Sequence, residues 1–215
     1  MKNNIETMNY SLSGAVCAGA LLLTANGASA QNLFASTINT GNVYQYTSGG
    51  TQSTFASGLN YPYGIAFDAA GNLFVANSAL NGPGGSISEI TRSGTQSTFA
   101  SNVDPIGLAF NNAGNLFQTD YFSGNIYEYT PNGHQSTFAT LNYDALNGLE
   151  FNNAGNLFVG TGTGQIVEIT PGGVQSVFAA GLNNVAGIAF QPVPEPSVMA
   201  LGALGVVAFF ARRRK

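Results

Sequence analysis

Charge is scarce in this 215-residue chain: Asp, Glu, Lys and Arg make up 7% of it, against 44% hydrophobic residues. So little charge beside so much apolar content excludes a disordered polyelectrolyte. Basic residues are scarcer still. Between residues 31 and 191, Arg92 stands against eight acidic residues, a net charge of −7 with the single histidine neutral. Nucleic-acid binding needs a basic footprint, and this stretch has none. Cys17 is the one cysteine, and it lies within an N-terminal apolar run. Everything after residue 30 therefore lacks a disulfide, a thiol nucleophile and a cysteine metal site. His134 is the one histidine, which excludes a histidine pair or an H-x-x-x-H metal site. It follows a turn on a strand, where a solvated edge residue is expected rather than a base, and Ser-His-Asp catalysis would depend on it. No apolar run between 31 and 190 has the length and 3.6 period of a helix.

What is present is a unit of some forty residues, met four times. Its clearest copy is Gly64-Ile-Ala-Phe-Asp-Ala-Ala-Gly-Asn-Leu-Phe-Val-Ala-Asn77, echoed from Gly107 and from Gly148. Asn-Leu-Phe begins at Asn32, Asn72, Asn115 and Asn156, spacings of 40, 43 and 41. Gln-Ser-Thr-Phe-Ala begins at Gln52, Gln96 and Gln135, and becomes Gln-Ser-Val-Phe-Ala at Gln175. Between them lie Val43–Thr47, Ile87–Thr91, Ile126–Thr130 and Ile166–Thr170. Each unit thus offers four short strands: a (Gly-Ile-Ala-Phe), b (Asn-Leu-Phe), c (Ile-x-Glu-Ile-Thr) and d (Gln-Ser-Thr-Phe). They are rich in β-branched and aromatic residues and are bounded by Gly and Asn, as hairpins require.

Four antiparallel strands per unit of this length make a β-propeller blade. The predicted fold is all-β: a small propeller of about four four-stranded blades. The first copy has no a strand, and the last is followed by a spare one, Gly187-Ile-Ala-Phe190. Residues 187–190 are therefore expected to complete the N-terminal blade and close the ring, removing two sheet edges. An open arc, or two chains making a larger ring, are the alternatives.

The ends differ in composition from the repeats. Residues 1–30 read as a signal peptide with a helical apolar run from Gly14 to Ala25 and an A-x-A cleavage site at Ala28 and Ala30. Residues 31–191 form the repeat domain. The last segment, 192–215, carries Val193, Pro194, Glu195 and Pro196, then an uncharged stretch from Val198 to Ala211, then Arg212, Arg213, Arg214 and Lys215. As a helix the stretch would rise about 21 Å, short of a hydrocarbon core of about 30 Å. Its basic end would stay cytoplasmic and leave the repeat domain outside. This order of parts closely resembles the PEP-CTERM sorting signal. The resemblance implies a Gram-negative bacterium that makes extracellular polysaccharide. It also implies export through the secretion machinery, transient membrane anchoring by the C-terminal helix, and processing by an exosortase, a membrane cysteine protease.

The repeat itself resembles the NHL and streptogramin-lyase-like propellers, whose blade signature is close to the stretch from Gly64 to Asn77. Those families include lyases, lactonase-like enzymes and pure binding scaffolds, so the resemblance marks architecture. Residues shared by the copies are read as structural. Glu89, Glu128 and Glu168 hold one position of strand c, and Asp68, Asn111 and Asn152 hold one turn position.

Function is expected where the copies differ. Alternating strand direction puts the b–c and d–a loops on one face, and these loops vary. They carry Tyr61, Tyr63, Asp104, Asp120, Tyr121, Phe122, Tyr143 and Asp144, with Asn142 and Asn147 nearby. Aromatic faces beside Asn and Asp suit a sugar ring. No catalytic residue and no cofactor is assigned, with Ca²⁺ on the aspartates as the one metal considered. The reading is an exported, non-catalytic surface or matrix scaffold that binds polysaccharide or protein. The alternative is a secreted lyase or lactonase-like hydrolase.

Overall fold

The computed structural model describes residues 31–79, 84–143 and 145–191. The signal region and the tail, with Ala28, Ala30 and the sorting residues from Val193 onward, lie outside the described residues. So do Asp144 and 80–83.

Among the described residues there are strands and turns and no helix. The first sheet holds β1 (Leu33–Thr37), β2 (Asn42–Tyr46) and β3 (Gln52–Ala56). The second runs through β4 (Pro62–Phe67), β5 (Leu73–Asn77), β6 (Gly85–Ile90) and β7 (Gln96–Val103). The third comprises β8 (Pro105–Phe110), β9 (Leu116–Asp120), β10 (Asn125–Tyr129) and β11 (Gln135–Thr140). The fourth comprises β12 (Leu146–Phe151), β13 (Leu157–Thr161), β14 (Ile166–Ile169) and β15 (Gln175–Ala179). Every pairing is antiparallel and joins strands consecutive in sequence. These are the four blades the repeat predicts, the first without its inner strand among the described residues.

The recurring residues explain the packing. The leucines Leu73, Leu116 and Leu157 are essentially buried. The phenylalanine of strand b stacks edge-on to that of strand d in its own sheet and to that of strand a in the next. Phe34 meets Phe55 and Phe67, Phe74 meets Phe99 and Phe110, and Phe117 meets Phe138 and Phe151, all with centroids near 5 Å. Each edge-on pair adds about 0.5–1.5 kcal/mol beyond its buried area. The strand-b asparagine has its own role. Asn72, Asn115 and Asn156 donate through Nδ2 to Glu89, Glu128 and Glu168 at 3.1, 2.6 and 2.7 Å. The repeated glutamates are thus spent on bracing strand b to strand c. Asp68, Asn111 and Asn152 accept the backbone N–H of those same asparagines at 2.7–2.9 Å, which fixes the a–b turn. Gly71, Gly114 and Gly155 close these turns with φ near +80°.

The inner strands β4, β8 and β12 lie side by side around a cavity of about 340 Å³. Glycine sets their approach. A Cβ on Gly64 would collide with the Ile106 carbonyl, and one on Gly107 would lie 2.5 Å from the Asn147 carbonyl. One on Gly148 would lie 2.9 Å from the Ala186 carbonyl. On β12, Glu150 stands where the sister strands carry Ala66 and Ala109. Burial pushes its carboxyl above the usual carboxylate range.

The structure corrects one expectation. Residues 187–190 form no strand, and β1 pairs with β2 alone among the described residues. The segment instead continues the series beyond the fourth sheet. Phe190 stacks on Phe158 with centroids 5.0 Å apart, beside Phe178, and the Gly148 N–H donates to Ala186 at 3.1 Å. The physical reason lies in the repeat. The same phenylalanine and glycine that would suit the first blade also seat this segment on the sheet directly before it.

Candidate functional site

The central cavity offers little chemistry. Its side chains are mainly apolar (Ile38, Ile65, Leu108, Leu149), and Ser36 is spent donating to the Tyr63 carbonyl at 2.6 Å. A smaller pocket of about 190 Å³ shares Tyr63 and Ile106 with it, so the two adjoin. Its other walls are Ser78, Asp104, Tyr121, Phe122 and Asn147.

The repeat builds this pocket by position. Tyr63, Ile106 and Asn147 each precede an inner-strand glycine, and Ser78 and Tyr121 each follow strand b. Identical backbone positions thus present different side chains. Their loops are held by matching bonds: Ser78 N–H donates to the Tyr61 carbonyl at 3.2 Å, and Tyr121 N–H to the Asp104 carbonyl at 3.3 Å.

Asp104 is the pocket's carboxylate, and it is 3% exposed. Its Oδ1 accepts the Ser78 hydroxyl at 2.7 Å and the Ala79 N–H at 3.2 Å. Its Oδ2 is buried with no hydrogen-bond partner among the described residues. A buried polar atom left unpaired costs about 1–3 kcal/mol, more if charged, so this oxygen favours any donor that enters. Tyr121 and Phe122 form an edge-on pair, 5.2 Å between centroids, and are 41% and 57% exposed. Asn147 is held by its Nδ2, which donates to Asn184 Oδ1 and the Val185 carbonyl, both at 3.0 Å.

The sequence-selected residues therefore divide. Tyr63, Asp104, Tyr121 and Phe122 line one pocket. Asp120 is buried and spent. Its Oδ1 accepts from Phe122 N–H, Ser123 N–H and the Ser123 hydroxyl at 2.8–3.2 Å, and its Oδ2 from Asp104 N–H at 3.3 Å. It shapes the Tyr121–Phe122 loop. Tyr143 packs on the apolar core between the third and fourth sheets. Tyr61 is 42% exposed with φ +44°, a left-handed backbone that a bulky residue adopts at a cost of about 1–2 kcal/mol. Asp144 lies outside the described residues. Among the described residues no three His, Cys, Asp or Glu side chains gather as a metal site. His134 is exposed on the turn into β11. Ser78 and Ile106 were not singled out from the sequence. Aligning each copy on its inner glycine and its strand b would have set them beside Tyr63 and Tyr121.

Residues 192–215 match the family described as the PEP-CTERM protein-sorting motif. The tail is a PEP-CTERM sorting signal. The PEP-CTERM signal marks an exported protein, sorted by an exosortase to the cell surface or extracellular space. It contains every tail residue selected above, from Val193 to Lys215. No curated protein matches the chain in sequence.

Solved structures resemble the repeat domain at low identity. A putative gluconolactonase aligns over 74% of this chain and 63% of its own, with TM-score 0.66 and 19% identity. The virginiamycin B lyase of Staphylococcus aureus, solved with quinupristin, aligns over 74% and 56%, with TM-score 0.61 and 17% identity. A nidogen/laminin complex aligns over 76% and 65%, with TM-score 0.67 and 22% identity. These likenesses establish a propeller-like fold, and the chain spans less than two thirds of each neighbour's length.

Proposed function

We propose that this protein is an exported, non-catalytic surface or matrix scaffold whose loop-face pocket binds a saccharide. The observation that carries the reading is Asp104 Oδ2, buried and unpaired in a pocket walled by Tyr63, Tyr121 and Phe122. A sugar hydroxyl would donate to that oxygen while an aromatic face covers the ring's apolar side. Ca²⁺ fits less well, because Asp120 has both oxygens engaged and Asp104 has one to spare.

Glycan-array binding of the exported protein, with and without calcium, tests this. Tyr121→Ala should weaken binding by about 1–3 kcal/mol, on the stacking scale of aromatic platforms. Its melting temperature should barely move, because an exposed loop residue contributes little to the core. Asp104→Asn, which puts an NH₂ group where the hydroxyl would donate, should weaken binding as much. The reading fails if both variants bind normally while changes at Asp68, Asn111 and Asn152 on the opposite face abolish binding.

The rival is a lyase or lactonase-like hydrolase, prompted by neighbours named gluconolactonase and virginiamycin B lyase. Turnover of a lactone or streptogramin panel, lost in Asp104→Asn, would favour it.

Processing belongs to the same proposal. The exosortase is expected to separate the tail from the repeat domain near Pro194-Glu195-Pro196. Intact-mass measurement of the surface form should then lack the residues after the cut. Recovery of the whole tail in all mature protein would refute processing.

A further inference from the structure

We propose that copies of this chain join head to tail, residues 187–190 of one copy entering the first sheet of the next as its missing inner strand. Three observations at the two ends of the row of sheets converge on it.

The inner glycines form a series with an open end. Gly64 abuts the backbone of β8, Gly107 that of β12, and Gly148 that of 186–188. A Cβ on Gly187 would meet nothing within 4 Å. The space beside Gly187 is the place a further inner strand takes at the other three.

The first sheet has the reciprocal gap. In the second sheet the inner strand pairs as Ile65↔Val75, Ala66↔Phe74 and Phe67↔Leu73. By the repeat, β1 offers the same edge through Ala35, Phe34 and Leu33, and there it carries no strand among the described residues. Residues 187–190 bring the matching sequence, with Ile188 opposite Ala35 and Phe190 opposite Leu33. An unpaired edge of this kind recruits a strand through its backbone N–H and C=O groups.

The apolar faces also match. Between the second and third sheets, Leu116 and Tyr129 cover the Phe74–Phe99 pair. On the fourth sheet the corresponding pair is Phe158–Phe178, and Phe178 is 62% exposed. The residues that would cover it, Leu33 and Tyr46, lie on the first sheet, and Leu33 is 67% exposed where its three sisters are buried. One end is thus the cover and the other the covered half of a single junction type. Because the two surfaces differ, the contact is heterologous and closes into a ring or extends as a filament according to the angle between copies.

The test uses the full chain with Cys17→Ser, so that introduced thiols are the sole ones. Two differently tagged copies are co-expressed and exported, one bearing Ala35→Cys and the other Ile188→Cys. The expected product is a disulfide-linked species of doubled mass carrying both tags and abolished by reductant. Adding Gly187→Val to the second copy should remove this species and leave its circular dichroism unchanged, because the added methyls meet open space within one copy. Light scattering on the unaltered surface protein should give two copies or more. A single-copy mass together with no mixed-tag species overturns the proposal. So does a chain bearing both cysteines that cross-links only within itself, which would show the ring closing inside one copy.

Discussion

Gly107→Val is expected to destabilise the repeat domain by about 3 kcal/mol or more, at or beyond the upper end of the usual overpacking range. The reason is what flanks the glycine. Its missing Cβ would lie 2.5 Å from the Asn147 carbonyl oxygen, 2.6 Å from the Leu149 side chain and 2.9 Å from Thr119 Oγ1. Two of these contacts hold the inner strands together: Gly107 N–H donates to Thr119 Oγ1 at 2.8 Å, and Thr119 donates on to the Asn147 carbonyl at 2.7 Å. A valine would part β8 from β12 and break that relay. Thermal unfolding should show a fall of roughly 10 °C, given about 2–4 °C per kcal/mol in a domain of this size. A shift of under 2 °C or so would mean that the inner strands are not packed as described. Gly50 is the matched control: it sits in an open turn with nothing within 4 Å of its Cβ position, but its φ of +81° makes Ala there a modest strain rather than a collision.

Phe117→Ala should cost about 3–5 kcal/mol, the range for removing a buried aromatic. Phe117 is 2% exposed and joins two sheets, meeting Phe138 at 5.0 Å and Phe151 at 4.8 Å. Its loss leaves two rings without a partner and a void that the flanking strands cannot close, since β9 is buried along its whole length. A strand-d phenylalanine at the chain's end gives the contrast. Phe178, the counterpart of Phe138, stacks on Phe158 and is 62% exposed, so Phe178→Ala should cost less than half as much in a single copy. Chemical denaturation of the two variants measures the difference directly. Equal losses would show that the fourth sheet's outer face is covered in the isolated molecule.

Much of this fold was legible because each recurring residue performs one local task. Asn, Leu and Phe of strand b are respectively a brace to Glu, a core plug and one corner of an aromatic triad, and all three tasks recur unchanged. The pocket was half legible for the same reason reversed. Tyr63, Asp104, Tyr121 and Phe122 stood out as departures from the repeat. What did not show was the fate of each carboxylate. Asp104 and Asp120 look alike in sequence, and only the path of the Tyr121–Phe122 loop decides that one is spent on backbone N–H groups while the other keeps an oxygen free. Closure within one copy was not legible. Gly187 to Phe190 carries the right residues for the first sheet, but those residues specify a kind of neighbour, not which sheet supplies it.

The sheets use only strands that follow one another in the chain, and this bears on how an exported protein gets built. A polypeptide crossing a membrane N-terminus first arrives on the far side in chain order. Here the second, third and fourth sheets can each be finished as soon as some forty residues have emerged, with no need to wait for a distant segment. Such short-range pairing carries little loop-closure cost and favours fast, sequential folding. The first sheet is the exception. It emerges earliest and, among the described residues, has one strand fewer than the others, so its β1 edge is the one left to wait for a complementary strand.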